Sequence, residues 1–161
     1  LGVNYYSART VGASRDDASL VRLGAADAVV PGTTRTAMGW PIVPEGLTEL
    51  LVRVERDYGP VPLYVTENGA AFDDYVDPSG EVKDPERVAY LEAHLRAARA
   101  AIDQGVDLRG SLVWSLLDNF EWAEGYSKRF GIVYVDYGTQ RRIPKQSAHW
   151  YAGVVAANGL S

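Results

Sequence analysis

Three dense apolar runs, LGVNYY, VPLYVTE and Leu108 to Leu117, are separated by stretches whose apolar residues recur at three- and four-residue steps. This alternation constrains the fold more than any other feature of the chain. Strands that are apolar along their whole length, rather than at every second residue, belong in a parallel sheet, and helices between them supply the crossovers and cover both faces. Leu47, Leu50, Leu51, Val54 and Tyr58 mark a helix near 45 to 58, which follows Pro44 and is stopped by Gly59-Pro60. Asp84-Pro85-Glu86 supplies an N-cap, a first-turn proline and an acidic first turn for a second helix. Val88, Leu91, Leu95, Ala98 and Ile102 form its stripe, and Gly105 sits where a C-terminal glycine belongs. A last helix starts near Pro144 or Ser147 and carries Ala148, Tyr151, Val154 and Val155. Residues 7 to 44 read mostly as loop, and a hairpin is expected around Phe130 to Tyr137.

The order strand, helix, strand, helix, strand, helix also suits a doubly wound open sheet. Such folds usually carry a glycine-rich phosphate turn, and neither G-x-G-x-x-G nor G-x-x-x-x-G-K occurs here. A (β/α)8 barrel fits better, but whole barrels typically need ~250 residues. The 161 residues therefore read as the C-terminal part of such a barrel, about three βα units forming a single domain over 1–161, with two open strand edges that need a cover.

Charge and composition exclude several kinds of chemistry. A net charge of −5 provides no basic field, so neither nucleic acid nor an anionic membrane surface is an expected partner. The chain starts at Leu1 with no leader pattern and contains no apolar run near the ~20 residues that span a bilayer. A soluble, cytoplasmic protein is expected, and one that is a piece of something longer. The absence of Cys removes thiolate catalysis and thiolate metal sites, and His94 and His149 are isolated, so no metal or cofactor is expected. The acidic group Asp73, Asp74, Asp77 and Glu81 hints at calcium, but Gly80 is misplaced for an EF-hand loop.

In a βα-barrel the strand C-termini form the working face. Here those positions hold Asn4 and Tyr6, then Glu67 and Asn68, then Trp114 and Ser115, with Glu121 and Trp122 in the loop beyond. The first and last sets join a hydrogen-bonding group to an aromatic ring, and the middle one supplies a carboxylate and an amide. Carbohydrate asks for that pairing, because its C–H faces stack on aromatic planes while its hydroxyls need acceptors and donors.

YVTENGAAF strongly resembles the nucleophile motif of glycoside hydrolase family 1, the β-glucosidases and their relatives, and WSLLDNFEWAEGYSKRFGIVYVDY resembles that family's sugar-binding loop and following hairpin. LGVNYYS, MGWPIVPEGL and RIPKQSAHWY are similar to further family segments in the family's order, so the resemblance covers nearly the whole chain. It implies that the first strand is strand six of the barrel and that the chain runs through strand eight to the last helix. It makes Glu67 the catalytic nucleophile of a retaining mechanism, oriented by Tyr6. Asn4 would lie at the sugar site, with Glu121 and Trp122 on the outer hydroxyls of the sugar. Trp114 would be the platform under it, Phe130 would close the pocket wall, and Trp40 would line the aglycone side. The implied substrate is a β-glucoside or cello-oligosaccharide, with no cofactor.

The family carries its acid/base on an Asn-Glu-Pro motif at the end of strand four, and that motif is absent from this sequence. Retaining hydrolysis needs two carboxyl groups ~5 Å apart. The chain is therefore expected to act only when joined or paired with an N-terminal portion of the barrel. The competing expectation is a noncatalytic half-barrel that binds sugar or merely self-associates. Alone, the chain is expected to be oligomeric, poorly soluble or molten. Tyr6, Glu67, Trp114, Glu121 and Trp122 are expected to converge at the strand ends, with the Tyr6 hydroxyl in reach of Glu67.

Overall fold

The computed structural model describes residues 1–13 and 24–160. Its centre is a parallel sheet of β1 (Gly2–Asn4), β4 (Leu63–Asn68) and β5 (Leu108–Val113), in that order, with β1 and β5 as open edges. Crossover helices α1 (Pro44–Tyr58) and α2 (Pro85–Asp103) join the strands, and α3 (Gln146–Ala157) closes the chain. Two small antiparallel pairs flank this unit: β2 (Val11–Ala13) with β3 (Ala25–Asp27), and β6 (Val133–Val135) with β7 (Arg142–Pro144). Among the described residues no helix is long and apolar enough to cross a membrane.

Local chemistry explains the helix limits. Pro44 and Pro85 occupy first turns, where a missing N–H removes no hydrogen bond. Gly59 and Gly105, at φ 84° and 99°, follow the last turns of α1 and α2 in backbone conformations that L side chains avoid. Leu47 and Leu51 of α1, Leu63 and Val65 of β4, and Ala97, Ala98 and Ala101 of α2 form the main core together with Tyr5 and Val106. Each fully buried Leu or Val contributes about 1.5–3 kcal/mol. A second cluster joins Ala70, Tyr90, Leu91 and Ile132, with Phe72, Val113, Trp150 and Tyr151 packed against it.

Several expectations need correction. The strands are not buried on both faces: in β4, Leu63 and Val65 pack on the helices, while Tyr64 and Thr66 are exposed. Tyr64 remains 42% exposed and Leu112 of β5 52%, so the second face of the sheet has no cover among the described residues. The third apolar run ends as a strand at Val113, because the backbone turns away at Trp114 to pair with the segment after Phe130. The hairpin expected at Phe130–Tyr137 extends to Pro144, its second strand being Arg142–Pro144. The described part of the span 7–44 is mostly loop, as expected, and also holds the β2–β3 pair; its residues 14–23 lie outside the described residues.

The buried stripe of α2 also differs from expectation. Arg87, Tyr90, Leu91, His94, Ala97, Ala98 and Ala101 are buried, which turns the helix by about one residue from the stripe through Val88, Leu95 and Ile102. Arg87 is buried with its partners and His94 bonds the Tyr90 carbonyl through Nδ1, and that departure is invisible to an apolar count. In α3 only Ser147 is fully buried, and Val155 is 63% exposed. Asp84 does not cap its own helix with its side chain. Its carboxylate accepts from the Ser147 N–H at 2.8 Å and from the Ser147 hydroxyl at 2.6 Å, and so caps α3 across the fold.

Candidate active site

The site begins with a slip in strand pairing. Val3 lies opposite Val65, but Asn4 lies opposite Glu67, so one extra residue of β4 bulges at Thr66. Such irregularities re-aim side chains at the end of a strand. The Tyr5 N–H donates to the Glu67 carbonyl at 2.9 Å, and the Thr66 hydroxyl donates to Asn4 Oδ1 at 2.6 Å. The Tyr6 side chain then reaches across, and its hydroxyl donates to Glu67 Oε2 at 2.7 Å. Burial first, then this bond and the charges of Glu67 and Glu121, push the Tyr6 hydroxyl well above the ordinary tyrosine value. Tyr6 is therefore a fixed donor to the carboxylate throughout the neutral range.

Two further rings, Trp40 and Phe130, stand behind this pair. Tyr6 meets Trp40 at 5.7 Å and Phe130 at 6.1 Å between centroids, and Trp40 and Phe130 are 6.1 Å apart. A backbone bond from the Ala37 N–H to the Ala71 carbonyl and a side-chain bond from Lys128 Nζ to the Ala37 carbonyl tie the Trp40 loop to the loops after β4 and β5.

Trp114 enters from β5. Its N–H donates to the Asn68 carbonyl at 2.9 Å, and its own carbonyl presses so closely on Gly69 that no Cβ fits there. The Trp114–Ser115 peptide is cis. Burial pushes the Glu121 carboxyl above its ordinary value; a hydrogen bond from Trp114 opposes that shift, and the charge of Glu67 adds to it. Glu67, Tyr6, Trp114 and Glu121 thus share one electrostatic environment. Trp122 does not join them in packing: it opens the short 3-10 turn Trp122–Glu124 at φ 45° and is 82% exposed.

Beneath these loops lies a group of charges that sequence reasoning missed. Lys145 Nζ bridges Asp74 at 2.6 Å and Asp118 at 2.9 Å. Arg87 pairs with Asp74 and Asp84 and also donates to the Ala70 and Arg129 carbonyls, while Arg129 pairs with Asp118. Asp118 further accepts from the N–H groups of Gly131 and Val135. Three carboxylates and three cations balance, which is what makes burial of each tolerable. Asp74 and Asp77 of the acidic loop are thereby engaged, Asp77 accepting from Ser79, the Glu81 N–H and Lys83. Among the described residues no cluster of three or more His, Asp or Glu is arranged to hold a metal.

Among the described residues one half-open groove runs between the β2–β3 pair and the starts of α1 and α2 and another between α2 and α3, and neither includes Glu67. Among the described residues the sheet ends at β1 and β5, and Glu67 is left partly exposed. A carboxylate held at a strand end by a phenol, with a second carboxylate and indoles around it, can attack or stabilise an electron-poor sugar carbon and bind its hydroxyls.

The chain belongs to glycosyl hydrolase family 1, whose family model matches residues 1–160. Beta-glucosidase A of Thermotoga maritima is 54% identical over 160 residues, covering 99% of this chain and 35% of its own length. Thermostable beta-glucosidase B of Thermobispora bispora is 54% identical over 161 residues, covering 99% of this chain and 33% of its own length. The solved structure of a family 1 β-glucosidase from Thermotoga maritima matches with a TM-score of 0.93 and 54% identity, over 99% of this chain and 35% of that one. The family fold is a (β/α)8 barrel, and this chain spans about a third of the length of these relatives.

Proposed function

We propose that this chain is the C-terminal portion of a retaining β-glucosidase, a single partial-barrel domain in which β1, β4 and β5 are barrel strands six, seven and eight. Glu67 is the nucleophile: an oxygen lone pair attacks the anomeric carbon, the bond to the leaving oxygen breaks, and water later releases the sugar from the ester. Tyr6 orients the attacking carboxylate. Asn4, Glu121 and Trp122 bind sugar hydroxyls, Trp114 lies under the ring, Phe130 closes the wall, and Trp40 lines the aglycone side. Substrates are β-glucosides or cello-oligosaccharides. The acid/base comes from an N-terminal portion of the barrel, which also covers the exposed face at Tyr64, Thr66 and Leu112.

The observation that carries this reading is the 2.7 Å bond from the Tyr6 hydroxyl to Glu67 at adjoining strand ends. It gives a strand-end carboxylate the rigid aim that a nucleophile needs. The exposure of the second sheet face supports a covering partner, and self-association of this chain is the alternative cover.

The test is to combine the chain with an N-terminal portion taken from a family member and incubate it with a slow 2-fluoro-glucoside. An intact-mass adduct located on Glu67, with turnover of a chromogenic β-glucoside lost in Glu67→Gln, is expected. An adduct on Glu121, or on no residue of this chain, refutes the assignment. Turnover absent from every mixture, with a stable dimer of the chain alone, favours the noncatalytic half-barrel.

A further inference from the structure

The bond between Tyr6 and Glu67 explains how the carboxylate is held, but not what holds Tyr6. Its backbone lies just past the end of β1, where ladder hydrogen bonds have stopped. The answer comes from α2. The Tyr90 hydroxyl donates to the Tyr6 carbonyl at 3.0 Å, and Asn68 Nδ2 donates both to the Tyr90 oxygen at 3.2 Å and to the Tyr5 carbonyl at 2.9 Å. Asn68 is the residue next to Glu67, so these bonds connect back to the nucleophile's own strand. The result is a closed circuit: Glu67 to the Tyr6 side chain, Tyr6 carbonyl to Tyr90, Tyr90 to Asn68, and Asn68 back along the chain to Glu67.

Tyr90 is itself immobilised. It is buried, its ring stacks on His94 at 3.9 Å between centroids, and its carbonyl meets His94 Nδ1 at 2.8 Å. Its hydroxyl has an acceptor in front and a donor behind, so its orientation is defined in both directions.

Resting on the glycosidase reading above and deepening it, we infer that Tyr90 is a positioning residue, whose hydroxyl fixes the backbone of Tyr6 and so the angle at which Tyr6 presents Glu67 to the sugar. Among the described residues no hydrogen bond joins Tyr90 to Glu67; Tyr90 acts through Tyr6. Loss of the hydroxyl leaves the helix and its packing in place but frees the Tyr6 carbonyl to shift. The reacting carboxylate then spends less time in the attack geometry, while the groups assigned to binding the sugar are untouched.

The test has two arms. In the chain assembled with the N-terminal portion, with 3-fluorotyrosine at position 6, Glu67→Gln is expected to move the 19F resonance, and Tyr90→Phe is expected to move it in the same direction. Leu91→Val, a buried change next door on α2, lowers the melting temperature without moving it. In the completed enzyme, Tyr90→Phe is expected to lower kcat by roughly 10-fold with KM within about twofold of wild type. The same change made in a Tyr6→Phe background should have almost no further effect, since its route is gone. An unmoved resonance, or losses from Tyr6→Phe and Tyr90→Phe that simply multiply, overturns the inference. Absence of turnover in the wild-type completed enzyme counts against the glycosidase reading instead, and the resonance alone then decides the role of Tyr90.

Discussion

A methyl group added at Gly69 would sit 1.7 Å from the Trp114 carbonyl oxygen and 2.8 Å from its carbon, whereas real Cβ contacts are essentially never under 3.0 Å. The gap must open by roughly 1.3 Å before even the closest tolerated contact is reached. Both partners are backbone, so no rotamer change relieves the clash. Overpacking typically costs about 1–3 kcal/mol, and parting the strands also strains the bond from the Trp114 N–H to the Asn68 carbonyl, worth about 1 kcal/mol. A loss of about 3 kcal/mol or more is expected for Gly69→Ala, a fall in melting temperature of about 6–12 °C for a chain of this size. Gly153, exposed within α3 and with nothing within 4 Å of where a Cβ would stand, should behave oppositely. There Gly153→Ala adds about 0.5–1 kcal/mol through helix propensity. Thermal unfolding followed by circular dichroism reads both signs, and the near-ultraviolet signal reports whether Trp114 has moved. A Gly69→Ala protein that melts within about 1 °C of wild type, or melts early with an unchanged tryptophan signal, would refute the reasoning.

Lys145→Met should destabilise by about 3 kcal/mol, the low end for breaking a buried pair, because Arg87 and Arg129 still face Asp74 and Asp118. Arg96→Gln, which removes an exposed pair with Glu92, should change stability by less than about 1 kcal/mol, and equal losses in denaturant titration would contradict the distinction. His94 is held below its ordinary value of 6.5, chiefly by burial, with its bond to the Tyr90 carbonyl and the charge of Glu45 opposing. As pH falls through 6.5 the unfolded chain therefore takes up a proton that the folded chain resists. The stability that neutral His94 contributes is complete above that pH and is lost on going down toward its folded value. The unfolding free energy of His94→Gln should accordingly vary less between about pH 7 and pH 5 than that of wild type, and parallel pH profiles would exclude this role.

Much of this molecule could be read along the chain. The limits of α1 and α2, the strand VPLYVTE and the glycine that ends α2 follow from periodicity and turn residues, which act between covalent neighbours. The positions of Glu67 and Tyr6 at strand ends were legible for the same reason: an apolar run that stops at a polar residue marks where a strand leaves the core. The burial of Arg87 and His94 left a weaker trace, since both lie on the same helical face as Tyr90 and Leu91 but do not count as apolar.

What only the tertiary structure decided are relations between residues far apart in sequence. The slip that sets Asn4 opposite Glu67, the approach of Trp114 to Gly69, and the Asp84 carboxylate capping α3 instead of its own helix each join segments 40 or more residues apart. The alternating exposure of β4 belongs here too, because whether Tyr64 is buried depends on what lies across the sheet and not on Tyr64. Periodicity shows which side of an element is apolar. Which polar groups can be buried, and which backbone can come closer than a methyl group allows, depends on the partner that packing brings to them.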